Sequence, residues 1–396
     1  MSKNFICSID RMPAEGDKGY SSIAFHRIKF LVESGYSVTV ISFFNKNNPL
    51  DLKAKLKLES LGVSLELIRV NRTEKILNVL KFPFFSKDPI QCLLVKSKDF
   101  KLRAELVLKK YPDSFFYFVL SRTSINVDLS SNIKYIVDFV DSMALNFDRR
   151  AKNANFFMKA IYKIESYRIN FFEQNLANKS FCSFVVSGID KIFFNSNKVH
   201  VNKLGTDLSS FYHEDLDKTN DLVFTGNMNY KPNSEAIIWF IENCFEEILR
   251  SNKKISLVIA GRHPSSKLLA YNRTYNKNIK VLGYVESMRD VINRSRLAVA
   301  PMQSGSGMQN KILEAFACGI PVVTTSIGLG DISAKNQQDI LVADDPVAFT
   351  SNVLEILNNP NKALKYGGNG LKYVNKNHNF ISINEDFLTK IKSTET

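Results

Sequence analysis

The sequence lacks the features that mark membrane-spanning, disulfide-linked and zinc-binding proteins. No apolar run approaches the roughly 20 residues that a spanning helix needs, and the first strand-like run, residues 5–9, is too short and polar-flanked to predict a signal peptide. The five cysteines stand singly with no CxxC pair, which predicts buried thiols in a reducing compartment. The five histidines show no metal-ligand spacing, and no repeat or low-complexity tract is visible.

Length and charge indicate two domains of unequal character. A chain of 396 residues is longer than a single core usually supports. Residues 1–200 hold 31 Lys and Arg against 19 Asp and Glu, whereas residues 201–396 hold 22 against 20. This asymmetry predicts an anionic partner for the first half alone, such as a membrane surface, a lipid phosphate or nucleic acid.

Strand-like and helix-like segments alternate through both halves. The segments "NFICSI", "IAFHRIKFLVESG" and "YSVTVISFF" form a βαβ pattern in the first half. The segments "DLVFTG", "PNSEAIIWFIENCFEEILR" and "ISLVIAG" form another in the second, with Asn233 or Ser234 as the expected helix cap. Nearly continuous apolar strands indicate parallel sheets covered on both faces. We predict an α/β fold of two doubly wound Rossmann-like domains that face each other across a cleft.

The domain limits follow from a polar, turn-rich stretch after the first half. We predict an acceptor-binding domain at residues 1–205 and a nucleotide-sugar-binding domain at residues 206–375. A helical segment at 376–396 is expected to pack back on the first domain, and one long helical region is predicted at 151–179. Ligands of such sheets bind at the carboxyl ends of the strands.

One strand-to-helix turn in the second half combines glycines with a basic and an acidic residue. The segment "GSGMQNKILEAFACGIPVV", residues 305–323, follows the strand "LAVAPM", and we expect its helix to begin near Gly307. Ser306 with Gln309 three residues later fits a capping box. Glycines allow close approach to the backbone, and a helix N-terminus directs N–H groups at an anion. With Lys311 in the first turn, the corner is suited to a diphosphate.

Glu314 is the residue that does not suit an anion site. Its neighbours Ile312, Leu313, Ala315 and Phe316 are apolar, so the carboxylate needs hydrogen-bond donors. The vicinal hydroxyls of a ribose would supply them, as in dinucleotide sites. The alternative is purely structural: Ser306 caps the helix, Gly319 ends it, and Glu314 is solvated or ion-paired.

Five stretches of the second half, in this order and spacing, resemble a known family. They are "FTGNMNYKPNSEA", "LVIAGRHP", "VLGYV", "GSGMQNKILEAFACGIPVVTT" and "ILVADDP". The pattern is similar to that of the retaining GT-B glycosyltransferases of the large bacterial group 1, or family four, type, whose members include sugar transferases with a "GMQNK" loop. The resemblance covers residues 200–380, and it is weaker over the first half.

The resemblance implies roles for individual residues. Glu314 matches the acid that holds the nucleotide ribose, and Lys311 is similar to a phosphate contact. The other implied substrate contacts are the loop residues Ser306, Gly307, Met308, Gln309 and Asn310, the strand-end pair Tyr284 and Val285 near the base, the turn residues Gly226 and Asn227, and Arg262. No metal site is implied, so helix amides and basic side chains are expected to take a metal's place.

Two positions depart from the family pattern. Ser306 stands where the family commonly has a second glutamate, which leaves the identity of the donor sugar open. Asn227 stands where a basic residue is common, which assigns more of the phosphate neutralisation to Lys311 and Arg262.

The first half offers fewer candidates. Gly16 and Lys18, with their neighbours, lie on the loop after the first strand, and the alternative is a plain surface loop. Asp138 and Asp141 end the strand "YIVDFVD", where either is a candidate to orient an acceptor hydroxyl or the donor, and the alternative for either is a strand-end turn residue or helix cap. Of the two, Asp141 is selected as the catalytic candidate. Two stretches, residues 95–111 and 159–172, mix bases with apolar residues at helical spacing, which fits either an anionic membrane surface or a packed helix with a solvated basic face. Nucleic acid is not expected, because no recognition motif accompanies the charge.

The resulting hypothesis is an enzyme of bacterial surface polysaccharide synthesis, such as O-antigen or capsule. It would move a sugar, with retention, from a nucleotide diphosphate sugar to a saccharide or lipid-linked saccharide acceptor. No cofactor is expected, and the expected location is cytoplasmic, extending to the inner face of the plasma membrane. The alternatives are a GT-B nucleotide-sugar epimerase and a non-catalytic GT-B subunit.

Overall fold

The computed structural model describes residues 4–14, 19–80, 87–129, 133–152, 154–305 and 308–395. Its contacts divide the chain into two compact units. Unit 1 comprises Met1–Lys203 and Ile383–Thr396, and unit 2 comprises Leu204–Ser382. The domain limits predicted from the sequence are residues 205 and 375.

Unit 1 is built on a parallel sheet whose strands are mostly apolar and buried. In the described part of the chain the strands are β1 (Asn4–Ile9), β2 (Ser37–Phe44), β3 (Ser64–Arg69), β4 (Phe115–Val119), β5 (Tyr135–Val140), β6 (Cys182–Val185) and β7 (Val199–Val201). Their order across the sheet is β3-β2-β1-β4-β5-β6-β7, and neighbouring strands run parallel. The winding direction reverses between β1 and β4, so loops from the two sides diverge there.

Helices cover both faces of this sheet. They are α1 (Tyr20–Glu33), α2 (Pro49–Ser60), α3 (Arg72–Leu80), α4 (Ile90–Leu93), α5 (Lys98–Lys110), α6 (Met143–Lys152), α7 (Phe156–Lys179) and α8 (Gly188–Phe193). Helices α1 and α2 pack on one face, and α5 and α7 pack on the other. The single helical region predicted at 151–179 is wrong at its start: α6 ends at Lys152, and Asn155 caps α7 by accepting the N–H of Met158 at 3.0 Å.

Unit 2 repeats the design. Its strands in the described residues are β8 (Asn220–Thr225), β9 (Leu257–Ala260), β10 (Ile279–Gly283), β11 (Ser295–Ala300), β12 (Val322–Thr324) and β13 (Leu341–Val342). Their order is β10-β9-β8-β11-β12-β13, all parallel, so the winding reverses between β8 and β11. The helices are α9 (Lys231–Phe240), α10 (Glu246–Ser251), α11 (Ser266–Thr274), α12 (Met288–Asn293), α13 (Asn310–Ala317), α14 (Ser326–Leu329), α15 (Pro346–Asn358) and α16 (Pro360–Asn377).

The two faces of the unit 2 sheet have separate cores. Helices α9 and α15 pack on one face, and α12, α13 and α16 pack on the other. The predicted α/β class with two doubly wound parallel sheets is confirmed. The predicted cap of α9 is wrong, because the helix begins at Lys231, with Tyr230 in the cap position.

The last helix, α17 (Phe380–Glu395), contributes to the core of unit 1. Phe387, Leu388 and Ile391 are buried there among side chains of β1, β4 and α1. Arg27 on α1 donates from Nε to Asn384 Oδ1 at 3.0 Å, which adds a buried polar link. The segment predicted at 376–396 therefore begins inside α16, and its unit 1 contacts come from α17.

Two expectations about the whole chain can be compared with the structure. All five cysteines are buried free thiols, as predicted. Among the described residues, no helix combines the length and the apolar character needed to cross a bilayer.

Candidate functional site

Glycines follow strands β8 and β9 at the carboxyl edge of the unit 2 sheet. The N–H of Gly226, after β8, donates to the carbonyl of Ala260 at 3.0 Å, and the N–H of Gly261, after β9, donates to that of Gly283 at 2.7 Å. A Cβ on Gly261 would lie 1.6 Å from the carbonyl oxygen of Gly226, and the φ of Gly261 is +148°. Only glycine fits this position. The ends of β8 and β9 are therefore closely packed glycine backbone at the carboxyl edge of the sheet.

The corner between β11 and α13 lies at the reversal of winding. Helix α13 begins at Asn310, so the predicted start near Gly307 is wrong. Gln309 itself occupies the cap position, in extended conformation and without a side-chain capping bond, so the predicted capping box is also wrong. Ser306 and Gly307 lie outside the described residues. The helix N-terminus is thus adjacent to the loop after β8, where ligands of doubly wound sheets bind.

Lys311 links this corner to the loop after β8. Its half-buried ammonium donates to Asn233 Oδ1 at 2.7 Å and to Gln309 Oε1 at 3.2 Å, and it lies 5.1 Å from the centre of the Phe224 ring. Asn233 in turn donates to the carbonyl of Asn227 at 3.0 Å. Neutral oxygens thus orient a positive charge beside the glycine at the end of β8.

Glu314 lies one turn further along α13. It is half-buried, whereas its neighbours Ile312 and Leu313 are fully buried. Because Lys311 and Glu314 are three residues apart, they lie on one face of the helix, with their Cβ atoms about 5–6 Å apart. An ammonium and a carboxylate at this spacing match the charges that a diphosphate and an adjoining ribose diol require.

The far end of α13 is fixed by glycines. Gly319 has a φ of +68°, and the N–H groups of Gly319 and Ile320 donate to the carbonyls of Phe316 and Ala315 at 2.9 and 3.0 Å. This is a Schellman ending. A Cβ on Gly370 of α16 would lie 2.4 Å from the Phe316 ring, so the two helices pack closely. The position of Lys311 and Glu314 therefore depends on packing well below the site.

Arg262 and Tyr284 form a second, more exposed part of the edge. The Arg262 guanidinium lies 4.9 Å from the centre of the Tyr284 ring, and Tyr284 is 64% exposed. The carbonyl of Arg262 accepts the N–H of Met228 at 2.9 Å, which connects this pair to the loop after β8. Val285 is half-buried beside them. A flat ring next to a guanidinium is a suitable surface for a nucleobase.

The remaining predicted loop residues divide by burial. Gln309 is buried, Met308 is half-buried against the α13 core, and Asn310 is exposed. The prediction did not include Asn233, which the sequence suggested only as a helix cap, or Glu235, which accepts a bond from Ser304 at 3.1 Å. Both residues could have been predicted from the sequence, because they belong to the segment that follows β8.

In unit 1 a charged cluster that was not predicted from the sequence lies at the reversal of winding between β1 and β4. Asp10, directly after β1, accepts a bond from the Tyr20 hydroxyl at 2.6 Å and pairs with Arg122 at 3.0 Å. Burial and the Asp10 carboxylate raise the pKa of Tyr20 above its ordinary value. Gly16 and Lys18, predicted on the same loop, lie outside the described residues.

Asp141 stands at the strained end of β5. Val140 before it has a φ of +63°, which a β-branched residue rarely adopts. Burial raises the pKa of Asp141, and the Asn146 amide donates to it at 2.9 Å. The nearby Glu173 is fully buried, and burial raises its pKa to about 8. A desolvated carboxylate at a strained strand end is suited to accept a proton or a hydroxyl hydrogen bond.

Asp138 is more deeply buried than Asp141. Its carboxylate is buried, pairs with Arg27 at 3.1 Å and accepts a bond from the Tyr117 hydroxyl at 3.0 Å. These partners lie in the core, so Asp138 has a structural role, and its interpretation as a substrate contact is wrong. The described residues contain no group of three or more His, Cys, Asp or Glu side chains placed to hold a metal ion.

Comparison of sequences identifies relatives of this chain. The model of the family "Glycosyl transferases group 1" matches residues 219–359. An uncharacterized 44.6 kDa protein in the cps region of Klebsiella pneumoniae is 24% identical over 56% of this chain and 62% of its own length. The capsular polysaccharide biosynthesis glycosyltransferase CapH of Staphylococcus aureus is 24% identical over 68% of this chain and 69% of its own length. The match thus spans less than two thirds of the Klebsiella relative.

Solved structures match along the whole chain. Sucrose-phosphate synthase from Thermosynechococcus elongatus has a TM-score of 0.70 at 14% identity, with 98% of both chains covered. Anabaena HepE, in complex with UDP, has a TM-score of 0.68 at 12% identity, with 99% of this chain and 100% of its own covered. At such identities the likeness concerns the fold. The protein therefore has the GT-B fold, and its residues 219–359 match the model of the group 1 glycosyl transferase family.

Proposed function

We propose that the protein is a retaining glycosyltransferase of bacterial surface polysaccharide synthesis, such as capsule or O-antigen. It would move a sugar from a nucleoside diphosphate to a saccharide or lipid-linked saccharide acceptor. The group 1 domain, the capsule-related names of both relatives and the UDP bound by HepE support this proposal. The observation that carries it is the placement of Lys311 and Glu314 on one face of α13, where Lys311 contacts Asn233 in the segment after β8.

The donor would lie along the carboxyl edge of the unit 2 sheet. Lys311 and the backbone at Gly226, Asn227 and Met308 would bind the diphosphate, with the amides of the loop before α13. Glu314 would accept bonds from the ribose hydroxyls, and the Arg262–Tyr284 surface would meet the base.

The chemical step breaks the bond between the anomeric carbon and the diphosphate oxygen and forms one to the acceptor oxygen. Negative charge then develops on the departing diphosphate, where the oriented ammonium of Lys311 would stabilise it. Retention requires the acceptor hydroxyl to approach from the face that the diphosphate leaves, and its proton passes to a basic oxygen. In unit 1, Asp141 is the proposed group for orienting that hydroxyl, because burial raises its pKa and so favours proton acceptance.

A test that needs no acceptor is available. Thermal-shift measurements with UDP-, GDP- and ADP-sugars would identify the donor, because a bound ligand raises the unfolding temperature. Slow hydrolysis of that donor, followed by proton NMR of the anomeric signal, should first release the sugar with the anomeric configuration of the donor. Release of the inverted anomer, or isomerisation of the intact donor as by an epimerase, would overturn the proposal.

A further inference from the structure

Helix α7 exposes large apolar side chains to solvent. Large apolar side chains at helical spacing lie on its solvent face: Phe156 (92% exposed), Phe157 (73%), Ile164 (52%), Tyr167 (74%) and Phe171 (62%). We call these five residues the apolar stripe of α7. A helix on the surface of a globular protein normally exposes polar residues and buries apolar ones. Contiguous exposed apolar surface of this kind marks a site of interaction.

Two buried glutamates fix this orientation. Glu165 accepts the N–H of Ile90 at 2.6 Å, at the start of α4, and Glu173 accepts the N–H of Met143 at 3.3 Å, at the start of α6. Both carboxylates therefore cap neighbouring helices from the inner face of α7. Rolling the helix to bury the apolar stripe would expose those helix ends and bring the aromatic rings into their place. The stripe is thus held outward by the fold itself.

Basic side chains surround the N-terminal end of the apolar stripe. Arg149, Arg150 and Lys152 are exposed at the end of α6, and Lys159 and Lys163 are exposed on α7. Lys163 pairs with Asp148, and Arg150 lies over the Phe147 ring at 5.3 Å. This cluster belongs to the half of the chain in which 31 Lys and Arg face 19 Asp and Glu. Aromatic rings next to Lys and Arg are the composition of helices that lie in a membrane interface.

Helix α3 presents a similar face nearby. Ile76, Leu77 and Leu80 are 61%, 56% and 71% exposed. The helix lies against the segment between α4 and α5, where Asn78 donates to the Lys96 carbonyl at 2.9 Å. Since Glu165 of α7 binds the start of α4, both helices flank the same short stretch of chain.

We propose that the apolar stripe of α7, together with the exposed face of α3, docks the protein on an anionic bilayer. The aromatic rings would enter the headgroup region, and the basic cluster would contact anionic headgroups. Charge complementarity favours a bilayer over a second copy of this chain, because a second copy would present the same positive cluster. The surface belongs to unit 1 alone, so the inference goes beyond the proposed donor site and does not depend on it.

Helix α5, the other basic stretch suggested by the sequence, provides the matched control. It also exposes two leucines, Leu102 (55%) and Leu106 (50%). Two of its basic side chains pair with acids, Lys101 with Glu105 at 3.9 Å on the same helix and Arg103 with Glu66 of β3 at 3.2 Å. It has the pattern of an ordinary solvated helix.

The test is co-sedimentation of the full chain with vesicles. The wild-type protein should pellet with vesicles that contain phosphatidylglycerol, remain in the supernatant with pure phosphatidylcholine, and lose binding as salt rises. The double variant Phe156→Ser/Tyr167→Ser should bind the anionic vesicles at least about tenfold more weakly than the wild type does. Leu102→Ser/Leu106→Ser should bind as the wild type does. Both variants should keep the wild-type unfolding temperature and nucleotide affinity, because the changed side chains are exposed and lie outside unit 2.

Three results would overturn the proposal. The first is wild-type protein that stays in the supernatant with anionic vesicles at low salt. The second is an equal loss of binding in the α5 variant. The third is a dimer, detected by light scattering, that dissociates in the α7 variant, since the occupant of the surface would then be a second copy. Loss of vesicle binding with intact nucleotide binding separates this inference from the proposed function.

Discussion

Replacing Lys311 with alanine should weaken binding of the diphosphate and leave binding of the nucleoside unchanged. The ammonium is half-buried and held by Asn233 at 2.7 Å and Gln309 at 3.2 Å, so it is pre-oriented and only partly screened by solvent. A hydrogen bond to a charged group contributes about 1.5–3 kcal/mol. This corresponds to roughly a 10- to 150-fold rise in the Kd of the nucleoside diphosphate.

Isothermal titration with the best-binding nucleoside diphosphate and with its parent nucleoside measures this directly. Asn233→Ala, which removes one neutral acceptor that orients the ammonium, should raise the Kd less, by roughly 3- to 10-fold. Lys253→Ala is the control, because Lys253 is exposed and precedes β9, at the opposite edge of the same sheet. Equal weakening of nucleoside and diphosphate binding by Lys311→Ala, or no weakening of either, would refute the assignment of Lys311.

Two predictions concern stability. Gly261→Ala should lower the free energy of unfolding by about 2–4 kcal/mol, because its φ is +148° and the new Cβ would meet a carbonyl oxygen at 1.6 Å. Urea denaturation measures this change. The control is Gly368→Ala, at an open helical position, which should be neutral or stabilising. Glu173 has its pKa raised from 4.5 to about 8 when folded, so the native state binds the extra proton, and stability should fall as pH rises from about 5 to 8. Glu173→Gln should flatten this dependence of stability on pH. If the stability of the variant still falls with pH as that of the wild type does, the dependence does not come from Glu173.

The architecture could be predicted from the sequence because the strands are recognisable as short apolar runs. Five apolar residues in a row at β4, followed by polar turns and amphipathic helices, permit few arrangements other than a parallel sheet covered on both faces. The corner at α13 was also visible, since glycines, a base and an acid follow a strand end. What the sequence left out was which atoms meet: Asn233 is far from Lys311 along the chain, and only the fold brings them within 2.7 Å.

The errors have local physical causes. Ser306 and Gln309 have capping-box spacing, but Gln309 occupies the cap position itself, so helix α13 starts later than predicted. Asp138 and Asp141 look alike at a strand end, yet Asp138 pairs with Arg27 in the core, whereas Asp141 follows the strained turn at Val140. In α7 the periodicity of the sequence shows two faces but not which of them is buried. Glu165 and Glu173 lie on the buried face because they accept N–H groups at the starts of α4 and α6.

The central claim is that the face of α13 that carries Lys311 and Glu314 binds a nucleoside diphosphate, with Glu314 on the ribose. A double-mutant cycle tests it: titration of the wild type and of Glu314→Ala with the nucleoside diphosphate and with its 2′,3′-dideoxy analogue. In the wild type, loss of the hydroxyls should raise the Kd by about tenfold or more, as expected for hydrogen bonds to a carboxylate. In Glu314→Ala the two ligands should bind alike. A Glu314→Ala protein that still prefers the full ribose by the wild-type factor would contradict the account.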